Sequence, residues 1–413
     1  MRPPMADRQI VRGELIGDRF VLDSPLGKGA FGAVWKATDR QNGDAIVAVK
    51  LLFDKYRQDK KMMGRFLQEA KILARLQHPG IARSIAWDAE GPDAYLAMEY
   101  IEGETLDQKF EGNSRDNSPI PKEGIAWICD QLCAAISHAH QQNVVHRDLK
   151  PRNVMVNKRG ARPFVKVLDF GIAKILVGSE IDPTTVGRVL GSVLYISPEQ
   201  IFGKPIDHRA DIFSLGSILF ELITLRRTWA RDDNGRPHPF HKPITVGEHN
   251  SHVAVLRRIS REARPKASAE RPDVSPAVDA VLAKAMAIKA EDRYDSAEEF
   301  AKALRNALLD LAPGEVSEGG SEDQTLTVPP VQSPVVKSLV EVRPMPAAPG
   351  PTPVAVNPPA PVEAQGVPVS PPPNVPEAQR SALAPEAGSN RLVYLLFGAA
   401  AVLMALGAYL SLR

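Results

Sequence analysis

The sequence predicts an α+β fold in two lobes, a small strand-rich one ahead of a larger helical one. Three observations lead there. Residues 19 to 101 alternate short β-rich runs with one helical stretch, residues 102 to 309 are dominated by helical periodicity, and the composition breaks near residue 312. Past the break, a Pro-rich tether and one apolar span of membrane length are expected.

Residues 1–18 form an N-terminal extension with no apolar run, so they do not read as a secretion signal. The small lobe, 19–101, then carries "RFVLDSPL", "AVWKATD", "AIVAVKLL" and "AYLAMEY" around the helical "MMGRFLQEAKILARLQ". Between the first two runs lie Gly27, Gly29 and Gly32. Glycine lets a backbone approach phosphates closely and adopt positive φ. A dinucleotide fold would place a helix directly after the glycines. A strand follows here instead, which suits a hairpin folded over a nucleotide. Leu26, Gly27, Lys28, Gly29, Ala30, Phe31 and Gly32 are the candidate contacts of that loop.

"VAVK" closes the next strand with Lys50, and a lysine there is costly to bury without a partner. Glu69, 19 residues further on in the helical stretch, can supply one, leaving the ammonium to hold phosphates. The alternative for Glu69 is a solvated helix position.

In the larger lobe, 102–309, Cys129 and Cys133 sit four apart in "IAWICDQLCAAISHAH". They read as small buried residues on one helix face, since neighbours at this spacing seldom meet disulfide geometry and no further ligands follow. So low a cysteine count fits a reducing compartment. His138 and His140 on the same helix take no role. The next segment, "NVVHRDLKPRN" at 143–153, leaves an apolar approach at Val144 and Val145 and presents Asp148 between cations, closed by Asn153. The net charge is +2 with mixed signs, so no nucleic-acid partner is expected.

Taken in order, "LGKGAFGAV", "VAVK", "HRDLKPRN", "DFG" at 169–171 and "SPE" at 197–199 resemble the eukaryotic-like (Hanks-type) serine/threonine protein kinases, in their bacterial style. The resemblance covers residues 19–309. It implies a bilobal protein-kinase fold, N-lobe 19–101 and C-lobe 102–309, and transfer of the ATP γ-phosphate to Ser/Thr hydroxyls of proteins. It implies Asp148 as catalytic base, Lys150 beside the transferring phosphate, and Lys50 on the α- and β-phosphates with Glu69 as its partner. Asn153 and Asp169 would hold Mg²⁺, or Mn²⁺ in its place. Met98 would be the gatekeeper, Glu99 to Ile101 the hinge that bonds the purine, and Val34 and Ala48 the residues on either side of the ring. His146 would be architectural.

The chain departs from the family pattern in places. Gly191-Ser192 stands where threonine usually follows the glycine, and "SPE" replaces the commoner "APE", with Arg293 placed to pair with Glu199. Between Arg226 and His252 the chain is polar and longer than usual, and the sequence suggests no function for it. Arg147, ahead of the base, implies an activation-loop phosphate, with Thr184 and Thr185 as candidate phosphosites for autophosphorylation. Two competing readings are a pseudokinase scaffold and a small-molecule kinase. Lys50, Asp148, Asn153 and Asp169 are all present, against the first; the "SPE" segment speaks against the second.

Residues 312–390 hold half of the chain's 36 prolines and read as a disordered linker. Within it, Thr325 and Thr327 follow acidic residues and are candidate sites for a phosphothreonine-reading partner. Residues 392–412 are 21 positions without a charge. At about 1.5 Å per residue they match a hydrocarbon core of about 30 Å. The expectation is a single-pass transmembrane helix in the inner (cytoplasmic) membrane, inserted after translation, with the kinase part in the cytoplasm beside its ATP. Gly398 and Gly407 among alanines leave room for dimerisation, without a GxxxG.

Overall fold

The first part of the chain builds a six-stranded antiparallel sheet from β1 (Leu15–Ile16), β2 (Phe20–Lys28), β3 (Gly32–Asp39), β4 (Ala45–Leu52), β5 (Ser84–Asp88) and β6 (Tyr95–Glu99). Their spatial order is β1-β2-β3-β4-β6-β5. The computed structural model describes residues 10–311, apart from 30–31, 58, 90–92, 158–162, 171–192 and 246. All of these fall within one unit of the chain, Met1–Val336.

Successive strand residues point to opposite faces, and this alternation decides what the sheet can do. Val47, Val49 and Leu51 of β4 join Ile16, Phe20, Leu22 and Tyr95 in a cluster on the outer face. Ala48 and Leu52 turn the other way, with Leu96 and Met98 of β6, into the main core. Lys50 shares their parity and faces inward. After the short α1 (Asp54–Arg57), α2 (Lys60–Arg75) lays Phe66, Ala70 and Leu73 on that inner face. The fold begins upstream of residue 19, because β1 pairs with β2 and buries Ile16.

The larger lobe opens with β7 (Glu104–Thr105), α3 (Leu106–Arg115) and α4 (Lys122–Gln141). Thr105 caps α3 reciprocally with Gln108, satisfying backbone donors that the first turn would leave bare. β8 (Val154–Asn157) and β9 (Phe164–Val167) complete a three-stranded sheet with β7. Cys129 and Cys133 lie buried on α4 as free thiols, their sulfurs 4.0 Å apart.

α5 (Pro198–Ile201) leads to α6 (Arg209–Thr224), which is buried from Ala210 to Ile223. A helix buried on all sides serves as the axis of a core. At Gly216 a Cβ would run into Met286 and Ala285, so the glycine permits close crossing by the helix before Met286. α6 stops at Leu225, whose left-handed φ of 54° breaks the ladder.

The polar stretch after it is a hairpin, β10 (Arg226–Arg231) and β11 (Pro237–Pro239), turned by Asp232 and Gly235. Its Trp229 is fully buried, stacks on Phe213 with ring centroids 5.8 Å apart, and donates its indole N–H to Ser217 Oγ. α7 (His252–Arg261), α8 (Ala267–Glu270), α9 (Pro276–Ala285) and α10 (Ala297–Leu308) close the lobe. Among the described residues no helix is long and apolar enough to cross a membrane; residues 312–390 and 392–412 lie outside them.

Trp229→Ala removes the stack and the indole N–H bond to Ser217 Oγ, and leaves a cavity against Phe213. It is expected to lower stability by about 3–5 kcal/mol, read from the midpoint of urea unfolding at constant slope.

Candidate active site

β4, α2 and the segment after β9 bring three charges together. Lys50 Nζ stands 2.7 Å from Glu69 Oε1 and 3.2 Å from Asp169 Oδ1. Burial acts to lower the Lys50 pKa, but the charges of Asp169 and Glu69 outweigh it and hold the ammonium well above its usual range. Glu69 is pushed up by burial, and the negative charge of Asp169 adds to this against the pull of Lys50. Two carboxylates therefore share one cation, a cluster that an added cation would relieve.

The catalytic-loop candidates hang from α6. Asp211 is fully buried and accepts N–H bonds from His146 and Arg147, each at 2.8 Å, while His140 Nε2 lies 2.8 Å from the same carboxylate. Burial alone would raise the pKa of Asp211; His140, His146 and the Arg147 N–H reverse the effect and lower it. The buried His146 ring meets the Leu168 carbonyl through Nε2 and accepts the Asp148 N–H at Nδ1. This fixes the neutral tautomer with its proton on Nε2, and burial depresses its pKa in keeping with that form.

Asp148 Oδ2 lies 2.7 Å from Lys150 Nζ, and Asn153 Nδ2 donates to the Asp148 carbonyl at 2.9 Å. The Leu168 N–H bonds the Asn153 carbonyl at 2.8 Å, which ties the loop to the segment that carries Asp169. Arg147 and Asp169 both have positive φ, 64° and 40°. Arg147 Nε is buried with no partner among the described residues.

The groups fit a magnesium ion. With its amide nitrogen committed, Asn153 has its oxygen left to give, and Asp169 offers a carboxylate oxygen. Hard oxygen donors suit Mg²⁺, which takes its remaining ligands from phosphates and water. No group of three or more His, Cys, Asp or Glu that could hold a metal occurs among the described residues.

On the inner face Ala48 pairs with Met98, and Val34 with Lys50. The Glu99 N–H bonds the Arg83 carbonyl, and its side chain takes the Arg83 N–H and Lys166 Nζ, so the carboxylate is committed to those two residues. The backbone of Ile101 makes no hydrogen bond among the described residues. Leu26 is exposed and Lys28 Nζ lies over the Phe53 ring. Leu26, Gly27 and Lys28 also line a cavity of about 680 Å³ with Ile16, Trp35 and Leu51, on the outer side of the sheet, away from Lys50. Gly32 packs where a Cβ would strike the Leu51 carbonyl oxygen. Ala30, Phe31, Gly171, Thr184, Thr185, Gly191 and Ser192 lie outside the described residues.

Glu199 and Arg293 form a buried two-pronged pair, at 2.7 and 2.8 Å. Sequence reasoning missed Asp211 and its contact with His140. The only local signal was an acidic residue in the first turn of an apolar helix, which helix electrostatics alone would explain.

The chain matches the protein kinase domain family over residues 20–303. It is 35% identical over 311 residues to the serine/threonine-protein kinase pkn3 of Myxococcus xanthus, covering 74% of this chain and 52% of that protein. It is 37% identical over 290 residues to the serine/threonine-protein kinase PknB of Mycolicibacterium smegmatis, covering 69% of this chain and 42% of that protein. The chain thus spans about half the length of these curated relatives, or less. The crystal structure of the Mycobacterium tuberculosis PknI kinase domain shares the fold at a TM-score of 0.52 and 24% identity, over 73% of this chain and 100% of that one.

Asp211→Asn should destabilise the protein, with a signed pH dependence. The Asp211 pKa falls on folding, so its contribution is complete above the ordinary aspartate value of about 4. It is lost as the pH drops through the lower folded value. The gap to wild type in urea titrations should be widest at neutral pH and shrink in acid.

Proposed function

The chain belongs to the protein kinase family, and on that premise we propose that it is a serine/threonine protein kinase, anchored to the cytoplasmic membrane by residues 392–412. The observation that carries the activity is the pairing of Asp148 with Lys150 and Asn153 on one side and Lys50 with Glu69 and Asp169 on the other. Phosphoryl transfer has a loose transition state, so the protein's work is alignment and charge neutralisation.

Asp148 receives the proton of the acceptor hydroxyl as its oxygen bonds to the γ-phosphorus of ATP and the bond to the bridging oxygen of ADP breaks. Lys150 neutralises charge beside it. Lys50, held by Glu69, orients the α- and β-phosphates. Asn153 and Asp169 would hold magnesium, which when bound screens the phosphate charge. Val34, Ala48 and Met98 form apolar surface for the purine, and Ile101 offers backbone groups that make no other bond among the described residues. The matched relatives are named as serine/threonine-protein kinases, which supports the acceptor type.

Autophosphorylation at Thr184 or Thr185 would provide the anion that Arg147 Nε lacks among the described residues. Thr325 or Thr327, once phosphorylated, would recruit a phosphothreonine-reading partner through its arginines.

Incubated with Mg·ATP, wild-type protein should carry phosphate on serine and threonine, with Thr184 or Thr185 and Thr325 or Thr327 among the sites found by mass spectrometry. Asp148→Asn should reduce incorporation by at least about a thousandfold while nucleotide affinity stays within a few-fold. Wild-type rates in that variant would refute the mechanism, and an empty site would remove the role given to it.

The anchor is tested apart from catalysis. Full-length protein should stay in the membrane pellet through alkaline carbonate, and protein ending at residue 390 should not. Release of the full-length form, or retention of the short one, would exclude residues 392–412 as the anchor.

A further inference from the structure

The hairpin of β10 and β11 reaches a buried acid that neither the nucleotide cluster nor the catalytic loop uses. Glu221, on α6, is fully buried, and among the described residues each of its oxygens has one donor. Oε2 takes the Tyr195 hydroxyl at 2.7 Å, and Oε1 takes the Thr228 N–H of β10 at 3.1 Å. Tyr195 stands two residues before Ser197, where the "SPE" segment begins, and its carbonyl accepts the Ser214 hydroxyl of α6 at 2.8 Å.

Thr228 is itself locked. Its hydroxyl donates to the Ser217 carbonyl at 2.9 Å, and Trp229 beside it bonds Ser217 Oγ at 3.0 Å. Asn250 grips both the N–H and the carbonyl of Arg231, and Arg258 of α7 donates to the Trp229 carbonyl. A hairpin that served only to cover surface would have no need to present one backbone N–H to a buried carboxylate.

We propose that this hairpin is a positioning element for the protein acceptor: Thr228, acting through Glu221, sets Tyr195 and with it the segment leading to Glu199. The inference rests on the phosphoryl-transfer reading above and adds to it a route by which this insertion tunes acceptor binding without touching the nucleotide. A buried carboxylate oxygen that loses its only donor is left desolvated and unpaired, so the Tyr195 side of the bridge must rearrange.

The bridge is also sensitive to protons. Burial pushes the Glu221 carboxyl up to about 7, against the opposing pull of Arg227, Tyr195 and Thr228, while Asp107 on α3 pushes it further up. Above that pH the ionised group accepts from both donors. Below it, a proton occupies one oxygen, which becomes a weaker acceptor for the donor that faces it.

Two variants of the full chain test this. Thr228→Pro deletes the N–H together with the hydroxyl bond to the Ser217 carbonyl, and Glu221→Gln keeps the shape and the hydroxyl bond but removes the charge. Each should raise KM for a protein acceptor about tenfold, the order expected for one buried unsatisfied group, with KM for ATP within about twofold of wild type. The wild-type acceptor KM should improve as pH rises through 7, and Glu221→Gln should lose that inflection. Hydrogen exchange should be faster at residues 193–199 in Thr228→Pro. Parallel changes in both KM values, or unchanged exchange at 193–199, would overturn the proposal. If wild-type protein transfers no phosphate at all, the kinase reading fails, and the exchange measurement still decides whether hairpin and platform are coupled.

Discussion

The carboxylate of Asp211 has given up all its water, and a buried charge persists only where donors replace what it lost. Here they come from the His146 and Arg147 N–H groups and from the His140 ring. Each of these donors lies on the approach to Asp148 or on the helix behind it. Meeting the needs of one acid therefore fixes the path of the loop that presents another. The apolar axis of α6 makes this possible, because a helix buried from Ala210 to Ile223 cannot shift to follow a moving loop.

The opposite side of the site depends on strand parity. Lys50 faces Glu69 and Asp169 because it shares the parity of Ala48 and Leu52. A one-residue slip of β4 against β3 would send it to the outer face among Phe20 and Tyr95. The outer cluster, closed by Ile16 of β1, holds that register, so the apolar face away from the chemistry keeps the lysine in place.

Much of this was legible in the sequence, for identifiable reasons. Lys50 at the end of an apolar run demanded a partner, and Glu69 answers it at 2.7 Å. Cys129 and Cys133 proved small and buried, as their helical spacing implied. The bond between Glu199 and Arg293 followed from resemblance, since nothing local links residues so far apart. What escaped was non-local or masked by charge. Asp211 looks like an ordinary acid in a first helical turn; its role appears only when His146, 65 residues away, folds against it. The hairpin carried its turn signal in Asn234-Gly235, but Arg226, Arg227 and Arg231 hid the strand, and only Trp229 and Ala230 spoke for a buried side. β1 was missed because two residues are too few to show a period.

The left-handed backbones of Arg147 and Asp169 show how these parts depend on one another. Such conformations cost a non-glycine residue on the order of 1–3 kcal/mol each and persist only where the surroundings over-determine them. At Arg147 both backbone groups are taken by distant side chains, the N–H by Asp211 and the carbonyl by Gln200 Nε2 of α5. α5 carries Glu199, and Glu199 is tied to Arg293 beyond α9. The strained residue before Asp148 is thus stabilised by a chain of polar contacts reaching from residue 147 to residue 293. The local bonds of Asp148 to Lys150, Asn153 and His146 are set within a frame of distant contacts that reaches Arg293.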